Sequence, residues 1–343
     1  QYTLGMLLTL PKLLAGPAVH RRTSRCVSTR RFRLGIERLE ARDVPSASPG
    51  AHSVAFLAGG RWALAQPSPA AEVATAPPLT ARGVSPVVHA VATPRSVVSG
   101  PRVHTVASPY QRTATQIRIL LPDGYHPSKT YRTIYVLPVE AGNGSRYGDG
   151  LRVIEQAKLH NAYQMIFVAP TFSDLPWYAD HPSHLGVRQE SHLVRFVIPF
   201  VEQRYAVSRS AADRLLLGFS KSGYGAFSLL LRRPDVFGKA YSWDSPIAMA
   251  TPVTPWGSLP IYGTRANFAR YHVTSLLRQQ APRLVDGPPR LFLAGYSFDS
   301  FRSDHAKTAA LMRSLHIPHG YDPGRFRGHS WNTGWVSGGV SWL

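Results

Sequence analysis

From Ser108 onward, short runs built almost wholly of apolar residues alternate with longer stretches that carry a helical stripe. The runs occupy 117–121, 133–138, 165–169, 215–218, 240–243 and 290–294. A strand that is apolar on both sides must be buried on both faces. That happens when helices cover a parallel sheet front and back, so the alternation predicts an α/β fold with a mostly parallel central sheet. Helices are expected at 151–160, 193–205, from 225 to 231, 267–279 and 305–315. Pro199 is a local disturbance in the second, and a short strand at 320–321 precedes a final loop and helix.

The part before Ser108 has a different character. Residues 1–46 are basic, with Arg21, Arg22, Arg25, Arg30, Arg31, Arg33, Arg38 and Arg42 crowded together. Residues 47–107 are rich in Ala, Pro, Ser and Val and poor in charge, which reads as a largely disordered linker with one short strand near 87–91. Three parts are therefore expected: 1–46, 47–107 and 108–343.

The net charge is +20, and 33 of the 39 basic residues are Arg. The charge is spread over the whole chain and no nucleic-acid-binding motif accompanies it, so sequence-specific nucleic-acid recognition is not expected. The single cysteine, Cys26, excludes an intrachain disulfide and a multi-cysteine zinc site. No apolar run reaches 18 residues, so no transmembrane helix is expected.

The chemistry concentrates in residues 215–226, LLLGFSKSGYGA. A buried strand runs into Gly218-Phe219-Ser220-Lys221-Ser222-Gly223 and then into a helix. That is the setting of a nucleophile elbow, in which a tight turn lifts a serine hydroxyl above the sheet edge. Gly218 supplies the small residue two places before Ser220, whereas Ser222 stands where a second glycine is usual. Gly223 and Gly225 suit close packing of the helix. A serine nucleophile needs an acid and a histidine later in the chain. Asp299, just past the run 290–294, is the expected acid. Asp304, five residues on, is the alternative, with a helix N-cap as its competing role. His329, in a loop before the final helix, is the expected base.

The oxyanion hole is assigned to backbone N–H groups: that of Lys221, after the nucleophile, and those of Val139 and Glu140, in the loop after the second strand. The Lys221 cation reads either as a lure for an anionic substrate or as a solvated charge. Trp177, Tyr178, Asp180 and Glu190 follow the third strand on the side where open sheets bind ligands, and are expected to line a substrate pocket. His181 and His184 beside Asp180 are weighed as metal ligands and set aside, so no metal and no cofactor are expected. The stretch 256–262 reads as part of a lid.

With these residues in place, 108–343 resembles the esterase family of α/β-hydrolases. That group includes esterase D and S-formylglutathione hydrolase, feruloyl and acetyl-xylan esterases, enterochelin esterases and the mycolyltransferases. IRILLPDGYHPSKTYRTIYVLP is similar to the family's opening hairpin, GFSKSGYGAFSLLLRRPDVFGKAYSWDSP to its elbow, helix and next strand, and GHSWNTGW to its terminal segment. The resemblance implies an α/β-hydrolase fold and hydrolysis of a small-molecule or carbohydrate ester through an acyl-enzyme, with Ser220 as nucleophile, His329 as base and Asp299 as acid. This chain departs from the family in Pro138-Val139, where His-Gly is usual, and in Ser222 and Lys221. Acyl transfer to a sugar hydroxyl and non-catalytic polysaccharide binding are the alternatives. Separately, residues 39–46, LEARDVPS, resemble a short motif near the N-terminus of exported planctomycete proteins, which implies export to the cell envelope or exterior.

Overall fold

The computed structural model describes residues 100–343. The basic block, the export-type motif, the strand expected near 87–91 and most of the expected linker lie outside the described residues. The linker expectation fails at its C-terminal end. Arg102–Val106 forms a strand, β1, paired antiparallel with β2 at Thr115–Leu120. Thr and Val are good strand residues, but this edge strand is mostly exposed on both faces and leaves no apolar run to read.

Five more strands fall where the apolar runs predict them: β3 (Thr133–Val136), β4 (Ile166–Pro170), β5 (Arg214–Phe219), β6 (Lys239–Trp243) and β7 (Leu291–Tyr296); β8 (His319–Phe326) is longer than the short strand expected at 320–321. Their order is β1-β2-β4-β3-β5-β6-β7-β8, parallel from β4 to β8. Chain order reverses direction between β3 and β5. The crevice beyond the C-terminal ends of those two strands is where an open α/β sheet binds its ligand.

Side chains alternate between two cores. On β5, Leu215, Leu217 and Phe219 face a core that also holds Leu151, Ile154, Val336 and Val340 from the helices Gly150–Gln156 and Val336–Trp342. Leu216 faces the opposite core with Phe227 and Leu230 from the helix Ser220–Arg232 and Leu277 from the helix Val273–Leu284. Burying both faces this way is what the unbroken apolar runs require.

Two helices differ from expectation in ways that reach the site. The stretch expected as a helix at 193–205 is π-wound over His192–Val197 and α-helical over Ile198–Arg204, with Pro199 just past the π-wound turn. The helix expected to begin at 305 begins at Asp299 and runs to Ser314. No helix among the described residues is long and apolar enough to cross a membrane.

Candidate active site

Strand β5 turns into the helix Ser220–Arg232 with no residue between them. Ser220 absorbs the change of direction with φ of +52°. Such a backbone costs a non-glycine residue on the order of 1–3 kcal/mol and persists only where its surroundings hold it. Three contacts do so. The Ser220 N–H donates to the Asp244 carbonyl at 3.1 Å. The Ser222 hydroxyl accepts from the Phe219 N–H at 3.0 Å and donates to the Phe219 carbonyl at 2.9 Å. Ser222 is therefore a clasp on the turn, and not simply a tolerated stand-in for glycine. Gly218 is required because a Cβ there would run into the Ser222 backbone.

His329 stands over the turn. Its Nε2 lies 3.0 Å from Ser220 Oγ and its Nδ1 lies 2.5 Å from Asp244 Oδ2. The imidazole is set among Tyr147, Phe219 and Phe298, with ring centroids 5.4, 5.0 and 5.2 Å away. Its loop is pinned by Ser330 Oγ and Trp331 N–H, which both donate to the Tyr147 carbonyl, at 2.7 and 2.9 Å.

The acid expectation is corrected: the carboxylate on His329 is Asp244, not Asp299 or Asp304. Asp244 follows β6 directly, has φ of +44° and is fully buried. Besides His329, it accepts from the Ser297 N–H at 2.6 Å and from the Ser297 hydroxyl, and that hydroxyl lies 3.2 Å from His329 Nδ1. Asp299 is exposed on the first turn of the helix Asp299–Ser314, where the N-terminal end of the helix dipole favours a carboxylate. Asp304 lies one turn further on, half-buried, with its carboxyl pushed up by burial. Neither hydrogen-bonds to His329. Under Asp244 sits His305, whose Nε2 accepts from the Ser245 N–H at 3.1 Å and contacts Ser245 Oγ at 3.0 Å. Burial pushes the His305 imidazole down to about 4.

The Lys221 side chain is neither a free cation nor a solvated one. It is half-buried and donates from Nζ to the Val139 carbonyl at 3.1 Å, and burial lowers its ammonium from the usual range. The neighbouring Pro138 carbonyl accepts from the Tyr178 hydroxyl at 2.6 Å. Among the described residues, the N–H groups of Val139 and Glu140 have no hydrogen-bond partner. As the second residue of its helix, Lys221 likewise has no intrahelical acceptor for its N–H.

The expected pocket residues do not form a pocket at the serine. Trp177 and Tyr178 are fully buried in the core, and a Cβ at Gly225 would strike the Tyr178 ring, so that glycine is the seat of the tyrosine. Asp180 accepts from the N–H and hydroxyl of Ser191, and Glu190 pairs with Arg232 at 2.8 Å. Asp180 and Glu190 line a polar cavity of about 280 Å³ with Arg188, Arg195 and Arg270, at the far end of the helix that Ser220 begins. The His181 and His184 rings pack against each other, tilted by 35° with centroids 4.3 Å apart. No three metal-ligating side chains converge among the described residues. Of the expected lid, Ile261 and Tyr262 are core, while Trp256 and Leu259 are partly exposed.

The residues missed from sequence are Asp244 and Ser297. Asp244 carried a signal, since it follows the apolar run 240–243 as Ser220 follows its own strand. Ser297 carried none.

Comparisons with known proteins bear on the fold and the family. A ferulic acid esterase structure is 19% identical, with a TM-score of 0.55 over 71% of this chain and 96% of its own. The S-formylglutathione hydrolase FrmB from Staphylococcus aureus is 15% identical, with a TM-score of 0.55 over 71% and 98%. The fluorophosphonate-binding serine hydrolase FphF, also from Staphylococcus aureus, is 14% identical, with a TM-score of 0.57 over 71% and 97%. At these identities the likeness shows the fold. No curated protein sequence matches the chain. The family described as "Putative esterase" matches residues 108–336, about two thirds of the chain and all of the sheet from β2 to β8. The chain belongs to that family, the carboxylic ester hydrolases of the α/β-hydrolase fold.

Proposed function

We propose that this protein hydrolyses a carboxylic ester through an acyl-enzyme on Ser220. The observation that carries the reading is the relay from Ser220 Oγ to His329 to Asp244, at 3.0 and 2.5 Å. Ser220 Oγ attacks the ester carbonyl while His329 Nε2 takes its proton. Asp244 holds the Nδ1–H tautomer and stabilises the imidazolium that forms. Backbone N–H groups of Lys221 and of Val139 or Glu140 receive the negative charge on the carbonyl oxygen. The imidazolium then protonates the departing alcohol. Water then attacks the acyl-enzyme as His329 Nε2 takes its proton, and His329 passes that proton to Ser220 Oγ as the acid is released.

The surroundings of His329 indicate which esters fit. Phe298 is 49% exposed and Trp256 is 37% exposed, and both rings pack on Phe301 at 5.3 and 5.9 Å. This apolar lip favours an ester with an aromatic or hydrocarbon group on one side of the bond. With Lys221 committed to the Val139 carbonyl, its ammonium is not offered to an anionic ester.

The test is p-nitrophenyl ester hydrolysis together with fluorophosphonate labelling, a probe suggested by the name of FphF. Wild type is expected to turn over and to be labelled at Ser220. Ser220→Ala and His329→Ala are expected to lose turnover by at least a thousandfold. An active, labelled Ser220→Ala protein would overturn the reading. Product analysis with a sugar present separates hydrolysis from acyl transfer. Folded wild type that takes no label would leave the binding-module alternative standing.

A further inference from the structure

The loop after β3 departs from its family in Pro138-Val139, and Lys221 is unusual beside the nucleophile. The structure joins these two departures. A trans peptide is planar, so its C=O and N–H point in opposite directions. Fixing a carbonyl therefore aims the N–H of the following residue. The Tyr178 hydroxyl fixes the Pro138 carbonyl at 2.6 Å, which orients the Val139 N–H. Lys221 Nζ fixes the Val139 carbonyl at 3.1 Å, which orients the Glu140 N–H. Both N–H groups lack a partner among the described residues.

We propose that Lys221 and Tyr178 are positioning residues that aim the oxyanion donors of the 138–140 loop, with Lys221 also giving its own backbone N–H to the oxyanion. This rests on the serine-esterase reading above and names how its oxyanion hole is assembled. Several observations support it. Among the described residues Lys221 forms no ion pair; the Glu140 carboxylate acts on it from a distance and accepts from the Tyr147 N–H at 3.3 Å. A half-buried ammonium with no carboxylate in contact is costly unless a dipole holds it; Glu140 offsets part of that cost from a distance, and the Val139 carbonyl is the dipole in contact. A charge on the carbonyl oxygen also polarises the peptide and makes the Glu140 N–H a stronger donor. Tyr178 is locked from behind by Gly225, on the same helix that carries Ser220 and Lys221. The serine and both ties on the loop thus share one rigid support.

The experiment compares wild type, Lys221→Met, Lys221→Arg and Tyr178→Phe on a neutral p-nitrophenyl ester. It also measures affinity for a trifluoromethyl ketone, whose hemiketal oxygen occupies the oxyanion position. Loss of one oxyanion donor costs about a hundredfold or more in kcat, and a misaimed donor costs less. Lys221→Met is expected to lose about 10- to 100-fold in kcat with KM within twofold, and to lose ketone affinity by the same factor as kcat/KM. Lys221→Arg, which keeps a donor, is expected to recover part of that loss. Tyr178→Phe removes one oxygen atom and is expected to shift kcat and ketone affinity in the same direction. It carries the test if Lys221→Met does not fold. Wild-type kcat and ketone affinity in both Lys221→Met and Tyr178→Phe would overturn the proposal. So would a Lys221→Met effect confined to KM for anionic esters, which would make Lys221 a substrate lure. Unlabelled, inactive wild type would instead refute the serine-esterase reading, and this proposal with it.

Discussion

Asp244→Asn, set beside Asp299→Asn, tests the identity of the acid. The Asp244 carboxylate receives three donors: the Ser297 N–H on Oδ1, and the Ser297 hydroxyl and His329 Nδ1 on Oδ2. An asparagine has one acceptor oxygen and one NH2 group. If its oxygen faces the Ser297 N–H, its NH2 meets His329 and the Ser297 hydroxyl. If it is flipped, its NH2 meets the Ser297 N–H. Either way two donors face each other in a fully buried place. The imidazole relieves one clash by moving its proton to Nε2, but Nε2 must be unprotonated to take the Ser220 proton. A wrong tautomer of this kind costs about 10⁴-fold in kcat, or about 5.4 kcal/mol at 1.36 kcal/mol per tenfold. Asp299 is exposed and does not bond to His329, so Asp299→Asn is expected to stay within twofold of wild type. The assay is p-nitrophenyl acetate hydrolysis at pH 7–8, with circular dichroism as a check on folding. A folded Asp244→Asn protein within tenfold of wild type, or a hundredfold loss in Asp299→Asn, would refute the assignment.

Two further predictions concern the supports of the site. Ser222→Ala removes the clasp and leaves the buried Phe219 N–H without its partner, so unfolding free energy should fall by about 1–3 kcal/mol. An unchanged urea midpoint in Ser222→Ala would show that the clasp does not stabilise the turn. The second follows from His192 and His305, both buried, each with one ring nitrogen lacking a partner, and each pushed down to about 4 by burial. Unfolded histidine titrates near 6.5, so between pH 6.5 and 4 the unfolded chain binds more protons than the folded one, and stability falls as pH falls. The pKa gap implies a loss of about 2 kcal/mol per histidine by pH 5. Urea midpoints at pH 7.5 and 5 should show the drop, and His192→Phe should remove roughly half of it. A flat profile in wild type would contradict the burial of both neutral imidazoles.

The parts of this protein that were legible in sequence are those where one local pattern dictates one structure. A run such as 215–218 has to be covered on both faces, and a strand that meets Gly218, Ser220 and a helix has to turn sharply. What sequence could not show was which distant residues meet. Tyr178 reads as a pocket aromatic because it follows a strand at the ligand-binding edge. It is core because Gly225, 47 residues later, leaves a hole of its shape. Lys221 reads as a surface charge until the 138–140 loop, some 80 residues earlier, is folded against it.

The acid shows the same limit, together with the physical rule that would have found it. Strands β5 and β6 are parallel neighbours in a register that sets Gly218 beside Ser242 and Phe219 beside Trp243. One step beyond both strands, Ser220 and Asp244 must come level, and the bond from the Ser220 N–H to the Asp244 carbonyl is that register continued. Both residues leave their strands with positive φ, +52° and +44°, because each chain turns away as soon as its strand ends. Strand β7 is one place further from the serine, and its register sets Ala294 beside Trp243. Ser297 comes just past its end and fills the space beside His329 with a hydroxyl, which needs no charge balance once Asp244 is there. Asp299, two residues later, is already in the next helix. The position of the acid is thus a consequence of strand adjacency and register, quantities that belong to the folded sheet and not to any one segment of the chain.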